Sequence, residues 1–193
     1  MADVSAAVIG FAGVLAGGYF NNFFAEDYKR FRDSQALAGA LAGELESHGE
    51  AIPLLKNMLS ALHGRAKTGA ELSLREMPEP GSPVFEANAE GIGKLGPELA
   101  NGVAYVYEQI RAFRVVMSML ARHHKEETPE WRTALIESGY ERIKSAEEQG
   151  APLIEKLMAH AAGSYWQRPD TRKQLGYGVI GLLAFLTVLK IFF

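Results

Sequence analysis

Two long apolar runs, one near each end, constrain this chain more than any other feature. The first, VSAAVIGFAGVLAGGYFNNFF, extends from Val4 to Phe24 and contains no charged residue. At about 1.5 Å per helical residue it reaches roughly 31 Å, the thickness of a bilayer's hydrocarbon core. The second, LGYGVIGLLAFLTVLKIFF, extends from Leu175 to Phe193. Its one charge is Lys190, close enough to the end for a long side chain to snorkel to an interface. Both runs are expected to be transmembrane helices. A cleaved signal peptide is the competing reading of the first, but Met1, Ala2 and Asp3 lack the basic character of such a leader.

The residues flanking the runs predict an orientation. Lys29, Arg30 and Arg32 follow the first run, and Arg168, Arg172 and Lys173 precede the second. Basic residues stay on the cytoplasmic side, so residues 25–173 are expected to form a cytoplasmic domain with both chain ends outside. The expected location is the inner membrane, crossed twice, with the lipid bilayer as one partner.

The first run also carries a stripe of small residues. Ala6, Gly10, Gly13 and Gly17 share one helix face, and Gly13-x-x-x-Gly17 is the spacing that lets two helix backbones approach closely. A helix-packing interface is expected there, against Gly178 and Gly181 of the second run or against another protein.

The middle of the chain reads as all-α. Ala38, Leu41, Leu45, His48, Ile52, Leu55, Leu59 and Leu62 recur three and four apart, with Pro53 expected to kink or split the helix near Gly49. Ser82-Pro83 reads as the cap and first residue of a short helix ending near Gly91 or Gly93. Pro97 and Glu98 open a helix to about His124, with a seam of Leu99, Val103, Val106, Ile110, Phe113, Met117 and Leu120. Thr128-Pro129-Glu130 opens the last, with Gly150 and Pro152 marking a kink. The expected architecture is an antiparallel helical bundle between two transmembrane helices.

Composition removes whole classes of chemistry. The 193 residues include no cysteine, which excludes disulfides, thiolate metal sites and thiol catalysis. A net charge of −3 lacks the basic excess of a nucleic-acid binder. No P-loop, nucleophile elbow or zinc-protease motif occurs. Gly91-x-Gly93-x-x-Gly96 follows a helix rather than a strand, so it is no nucleotide fingerprint. No cofactor, metal or catalytic residue is expected.

His48 is the one possible functional seam residue, because it falls between Leu45 and Ile52. A structural histidine partnered by Glu44 is favoured over a ligand, since a metal site needs further donors that the sequence does not place. His123 and His124 point about 100° apart on a helix and read as a solvated terminus. Glu44, Glu46 and Glu50, and Glu137, Glu141, Glu147 and Glu148, read as solvated acidic faces, while Tyr105, Tyr107, Phe113 and Trp131 read as bundle-closing aromatics.

The segment Pro83-Val84-Phe85-Glu86-Ala87-Asn88, followed by Leu95-Gly96-Pro97-Glu98-Leu99, resembles a pattern in uncharacterised bacterial inner-membrane helical proteins. The resemblance implies a bacterial source and an inner-membrane location, and it brings no activity. The residues themselves read as a structural corner, with Glu86 and Asn88 tying the short helix to its loop and Phe85, Ile92 and Leu95 plugging the bundle end. The expected function is a non-catalytic membrane-anchored scaffold or accessory subunit of a larger membrane complex. The alternative is a small homo-oligomeric transport or pore-forming membrane protein.

Overall fold

The computed structural model describes residues 10–11, 13–14, 17–18, 24–75 and 81–192, with the backbone alone at 182, 185, 186 and 188–192. Among the described residues the chain is all-helical, with no strand. Helix α1 spans Ala25–Lys67, α2 Pro83–Asn88, α3 Pro97–His123, α4 Pro129–Ala162 and α5 Pro169–Phe192. Short 3-10 segments at Ala89–Leu95 and Tyr165–Gln167 lead into α3 and α5. Pro53 and Pro152 lie inside α1 and α4, which continue through them rather than splitting.

The helix starts follow local sequence chemistry. Pro83, Pro97, Pro129 and Pro169 each stand at the first helical residue, where a missing N–H costs nothing. Thr128 Oγ1 accepts the Trp131 N–H at 3.2 Å, a side-chain cap for α4. Gly96, at φ +84°, makes the turn into α3 in a conformation that disfavours a β-carbon.

The chain forms two compact units, Ser34–Ala161 and Met1–Asp33 with Ala162–Phe193. The larger unit holds two apolar clusters. One joins Leu37, Leu41 and Leu45 of α1 to Val103 and Val106 of α3 and to Leu153 and Leu157 of α4. The other joins Leu59 and Ala66 of α1 to Leu120 of α3 and to Ile136 and Ile143 of α4. The expected seams therefore make the core, and they also give the helix directions.

Helices α1 and α3 both run from the first cluster to the second, whereas α4 runs back. The expected antiparallel bundle is thus corrected: α1 and α3 are parallel, and only α4 opposes them. The physical reason is the connection between α1 and α3. Leu72 sits in the second cluster, but Leu95 sits in the first, with Val84, Phe85 and Ile92 packed against it. Leu72 and the segment from Val84 to Leu95 thus lie with different clusters, so α3 begins at the cluster where α1 enters the bundle.

In the other unit, the start of α1 meets the segment leading into α5 through aromatic rings. Tyr165 stands edge-on to Tyr28 at 5.2 Å and lies 5.5 Å from Phe31. Phe24 stacks on Trp166 at 6.5 Å. Asp27 accepts hydrogen bonds from the Tyr165 hydroxyl at 2.9 Å and from Arg168 at 3.3 Å. The Arg168 guanidinium also lies over the Phe31 ring at 5.3 Å.

Among the described residues no helix is long and apolar enough to cross a membrane. Of the two spans expected at 4–24 and 175–193, most of the first lies outside the described residues, and α5 contains the second up to Phe192.

Candidate functional site

The polar centre of the larger unit is built at the start of α2. Ser82 occupies the cap position but makes no side-chain cap hydrogen bond. The cap comes from α1 instead: the Glu44 carboxylate accepts the Val84 N–H at 2.8 Å and the Phe85 N–H at 3.0 Å. These are two of the donors that every helix start leaves unsatisfied. The Tyr107 hydroxyl of α3 donates to the same carboxylate at 2.7 Å, and the Tyr107 ring stacks on Phe85 at 4.0 Å. Glu86 closes the turn by accepting the Ser82 N–H at 3.0 Å, and Asn88 donates back to the Val84 carbonyl at 2.8 Å.

This environment sets the charge on Glu44. Burial pushes its carboxyl up, but the hydrogen bonds from Tyr107, Val84 and Phe85 together outweigh it and leave it below the ordinary carboxylate value. Burial pushes the Tyr107 phenol up, and Glu44 pushes it further.

His48 stands one turn beyond Glu44. Its hydrogen-bond partner is Ser82 Oγ, at 3.4 Å, rather than the expected Glu44, whose oxygens face α2 and Tyr107. Burial lowers the imidazole, the nearby Arg114 lowers it further, and Glu44 opposes both, leaving a net downward shift. Arg114 itself donates to Ser82 Oγ at 3.1 Å and to the Gly81 carbonyl at 3.2 Å.

A serine beside a histidine invites comparison with a nucleophile and its base. The geometry does not present one here. Ser82 is buried at 3% exposure, and Arg114 shares its oxygen. The arrangement instead locks the α2 corner onto α1 and α3.

Next to this corner lies a cavity of 520 Å³ between α1, α3 and α4. Leu45, Ile52, Val106, Ile110, Phe113 and Ile143 supply apolar walls. Leu45 and Val106 belong to the first core cluster and Ile143 to the second, so the cavity stands where the two clusters would otherwise merge. Small residues face it: Gly49 and Ala51 from α1, and Ala146, Gly150 and Ala151 from α4. Pro53 and Pro152 follow these residues in their helices and remove one ladder hydrogen bond each.

Polar lining comes from His48, Gln109, Arg114, Arg142 and Glu147. Arg142 donates to the Gln109 side-chain oxygen at 3.2 Å, and Lys56 pairs with Glu147. Neither Arg114 nor Arg142 forms an ion pair among the described residues.

The other expected residues distribute as follows. Ala6 lies outside the described residues. Gly10, Gly13 and Gly17 are helical, and no described atom stands within 4 Å of a β-carbon placed on any of them. The same holds for Gly178 and Gly181. His123 is exposed, but His124 is buried at 3%, so the expected solvated pair is corrected in one member. Its Nδ1 lies 3.2 Å from the Leu120 carbonyl and 3.0 Å from that of Ala121, serving the end of α3. Among the described residues no three metal-ligating side chains converge.

Glu44 leaves the expected solvated acidic face to serve as a cap, whereas the Glu147 side chain remains 45% exposed at the cavity wall, paired with Lys56. Tyr105 remains 45% exposed and does not help close the bundle, while Tyr107 is buried and Phe113 and Trp131 pack against the second cluster. Sequence reasoning named Glu44 only as a partner of His48 and a solvated residue, missing its role as a cap, and it missed Gln109, Arg114 and Arg142 altogether. For Glu44 a signal existed: it lies three residues after Leu41 and four before His48, on the seam face.

No family model matches the chain, and no curated protein or solved structure matches it.

Proposed function

We propose that this chain is a non-catalytic, membrane-anchored scaffold or accessory subunit of a larger membrane protein complex. The runs 4–24 and 175–193 anchor it in a bacterial inner membrane, and residues 25–173 face the cytoplasm. The aromatic group where the two runs join the helical domain carries this reading. Tyr28 and Trp166 remain exposed there, and Arg168 lies over the Phe31 ring of the same group. Tyrosine, tryptophan and arginine are the side chains that settle at a membrane interface, with apolar bodies in lipid and polar tips in water. The basic residues Lys29, Arg30, Arg32, Arg172 and Lys173 stand in the same two segments and support the cytoplasmic orientation. Gly10, Gly13 and Gly17 have no described atom within 4 Å of an added β-carbon, and such a small-residue spacing suits a partner helix.

The absence of native cysteine makes the topology directly testable. Single cysteines replace Ala2 and Lys125 in separate variants, and intact spheroplasts are treated with an impermeant maleimide. Labelling of Ala2→Cys before lysis and of Lys125→Cys only after lysis is the expected pattern. The opposite pattern, or complete release of the protein by alkaline carbonate, overturns the anchored reading. Purification in mild detergent tests the subunit role: companion proteins should co-elute and be lost when Gly13 and Gly17 are both replaced by Ile. A lone monomer at native abundance overturns it.

A further inference from the structure

A pocket that opens to the surface lies between α1, α3 and α4 of the Ser34–Ala161 unit. Its volume of 520 Å³ is far larger than the roughly 30 Å³ share of one water. Its size falls within the range of about 300–1,000 Å³ seen for small-molecule sites. The residue choices keep it open. Gly49 and Gly150 put no side chain into the space, and a β-carbon on Gly49 would meet no atom within 4 Å.

The polar lining is asymmetric in charge. Arg114 and Arg142 stand against the single carboxylate of Glu147, which Lys56 already neutralises. Arg142 is exposed, and its contact is the neutral oxygen of Gln109. Gln109 is 8% exposed and accepts the Arg142 bond through its side-chain oxygen, which leaves its amide nitrogen as the other polar atom of that side chain. A guanidinium with no ion pair among the described residues, beside a side-chain amide and against the apolar walls of Leu45, Ile52, Val106, Ile110, Phe113 and Ile143, matches an apolar chain that ends in one anionic head. A neutral lipid would leave the arginine unused, and a polar metabolite would leave the walls unmatched.

We propose that this cavity binds a single-chain anionic amphiphile of the long-chain fatty acid class. The chain lies between α1, α3 and α4, and the carboxylate meets Arg142 and Gln109. This site is independent of whether the protein is a subunit of a complex.

The test uses the full chain in phosphatidylcholine nanodiscs and palmitic acid bearing a diazirine on its chain. After illumination, cross-linked peptides are mapped by mass spectrometry. Labelling is expected on segments containing Ile110 and Ile143, and excess palmitate should displace it. The diazirine analogue of hexadecanol should label about tenfold less, the scale of one lost charge-assisted hydrogen bond. Arg142→Gln, at an exposed position and with an amide that can still donate to the Gln109 oxygen, should lower labelling by a similar factor. Ala146→Phe, which fills the space, should abolish it while helicity by circular dichroism stays unchanged. Labelling confined to residues 175–193 would show simple partition into the bilayer and overturn the proposal. So would equal labelling by acid and alcohol, or undiminished labelling of Arg142→Gln. Displacement by phosphatidylglycerol as effective as by palmitate would overturn the single-chain assignment in favour of a diacyl lipid.

Discussion

Glu44 accepts a hydrogen bond from the Tyr107 hydroxyl at 2.7 Å, joining α1 to α3 across 63 positions of sequence. The same carboxylate holds the first turn of α2 through Val84 and Phe85. One acidic side chain thus fastens three elements, and its removal should be felt at all of them. Glu44→Ala is expected to lower unfolding stability by about 2–3 kcal/mol, since it strands a buried hydroxyl and two helix-start donors. Tyr107→Phe, which leaves the cap intact, should cost about 1 kcal/mol. Urea unfolding followed by circular dichroism measures both, and equal costs would argue against the shared role.

The two shifted groups of this corner predict how stability depends on pH. His48 titrates lower in the folded chain than its ordinary 6.5, so the unfolded chain takes up the proton first. Stability should be at its full value above about pH 6.5 and fall as the pH drops from there toward the folded value. Glu44 also titrates below its ordinary 4.5, and its contribution should be lost as the pH falls from 4.5 through the folded value. His48→Asn should remove the upper step alone and Glu44→Gln the lower step alone. Urea midpoints measured from pH 8 to pH 3.5 give the comparison, and an unaltered upper step in His48→Asn would contradict the assignment.

Two helical glycines should respond in opposite directions to alanine. At Gly49 a β-carbon meets nothing within 4 Å, so Gly49→Ala should raise stability by up to about 1 kcal/mol through helix propensity. At Gly102 the new carbon would stand 2.9 Å from Leu153 Cδ1, inside the first core cluster. Gly102→Ala should therefore lose that gain and destabilise by about 1 kcal/mol through overpacking. Thermal and urea unfolding of the pair decides it, and a stabilised Gly102→Ala would show that Leu153 has room to rotate.

The cap of α4 offers a local control. Thr128→Ala removes the bond to the Trp131 N–H and should cost about 1 kcal/mol, whereas Thr128→Ser should cost little. Denaturant midpoints for the two variants test this. Equal losses would mean that the methyl group of Thr128, rather than its hydroxyl, stabilises the turn.

The legible and the illegible parts of this chain divide along physical lines. Helix starts at Pro83, Pro97 and Pro129 were readable because proline at the first turn acts within a few residues. The buried seams were readable because burial imposes a period of 3.6 on each helix separately. His48 was readable as a residue on the seam, but its partner was not. An acidic residue near a seam looks like a surface residue until the chain brings helix-start donors to it, as happens to Glu44.

The sequence by itself determined that the middle of this protein is helical, where most helices begin and which stripe of each is buried. It also set out two apolar runs with basic inner flanks. Only the tertiary structure decided that α1 and α3 run parallel, because that depends on where the connecting chain travels and not on any local preference. The cavity likewise belongs to the tertiary structure. Gly49, Ala146 and Gly150 are unremarkable small residues in their own helices, and they leave a space only because packing brings them to one level.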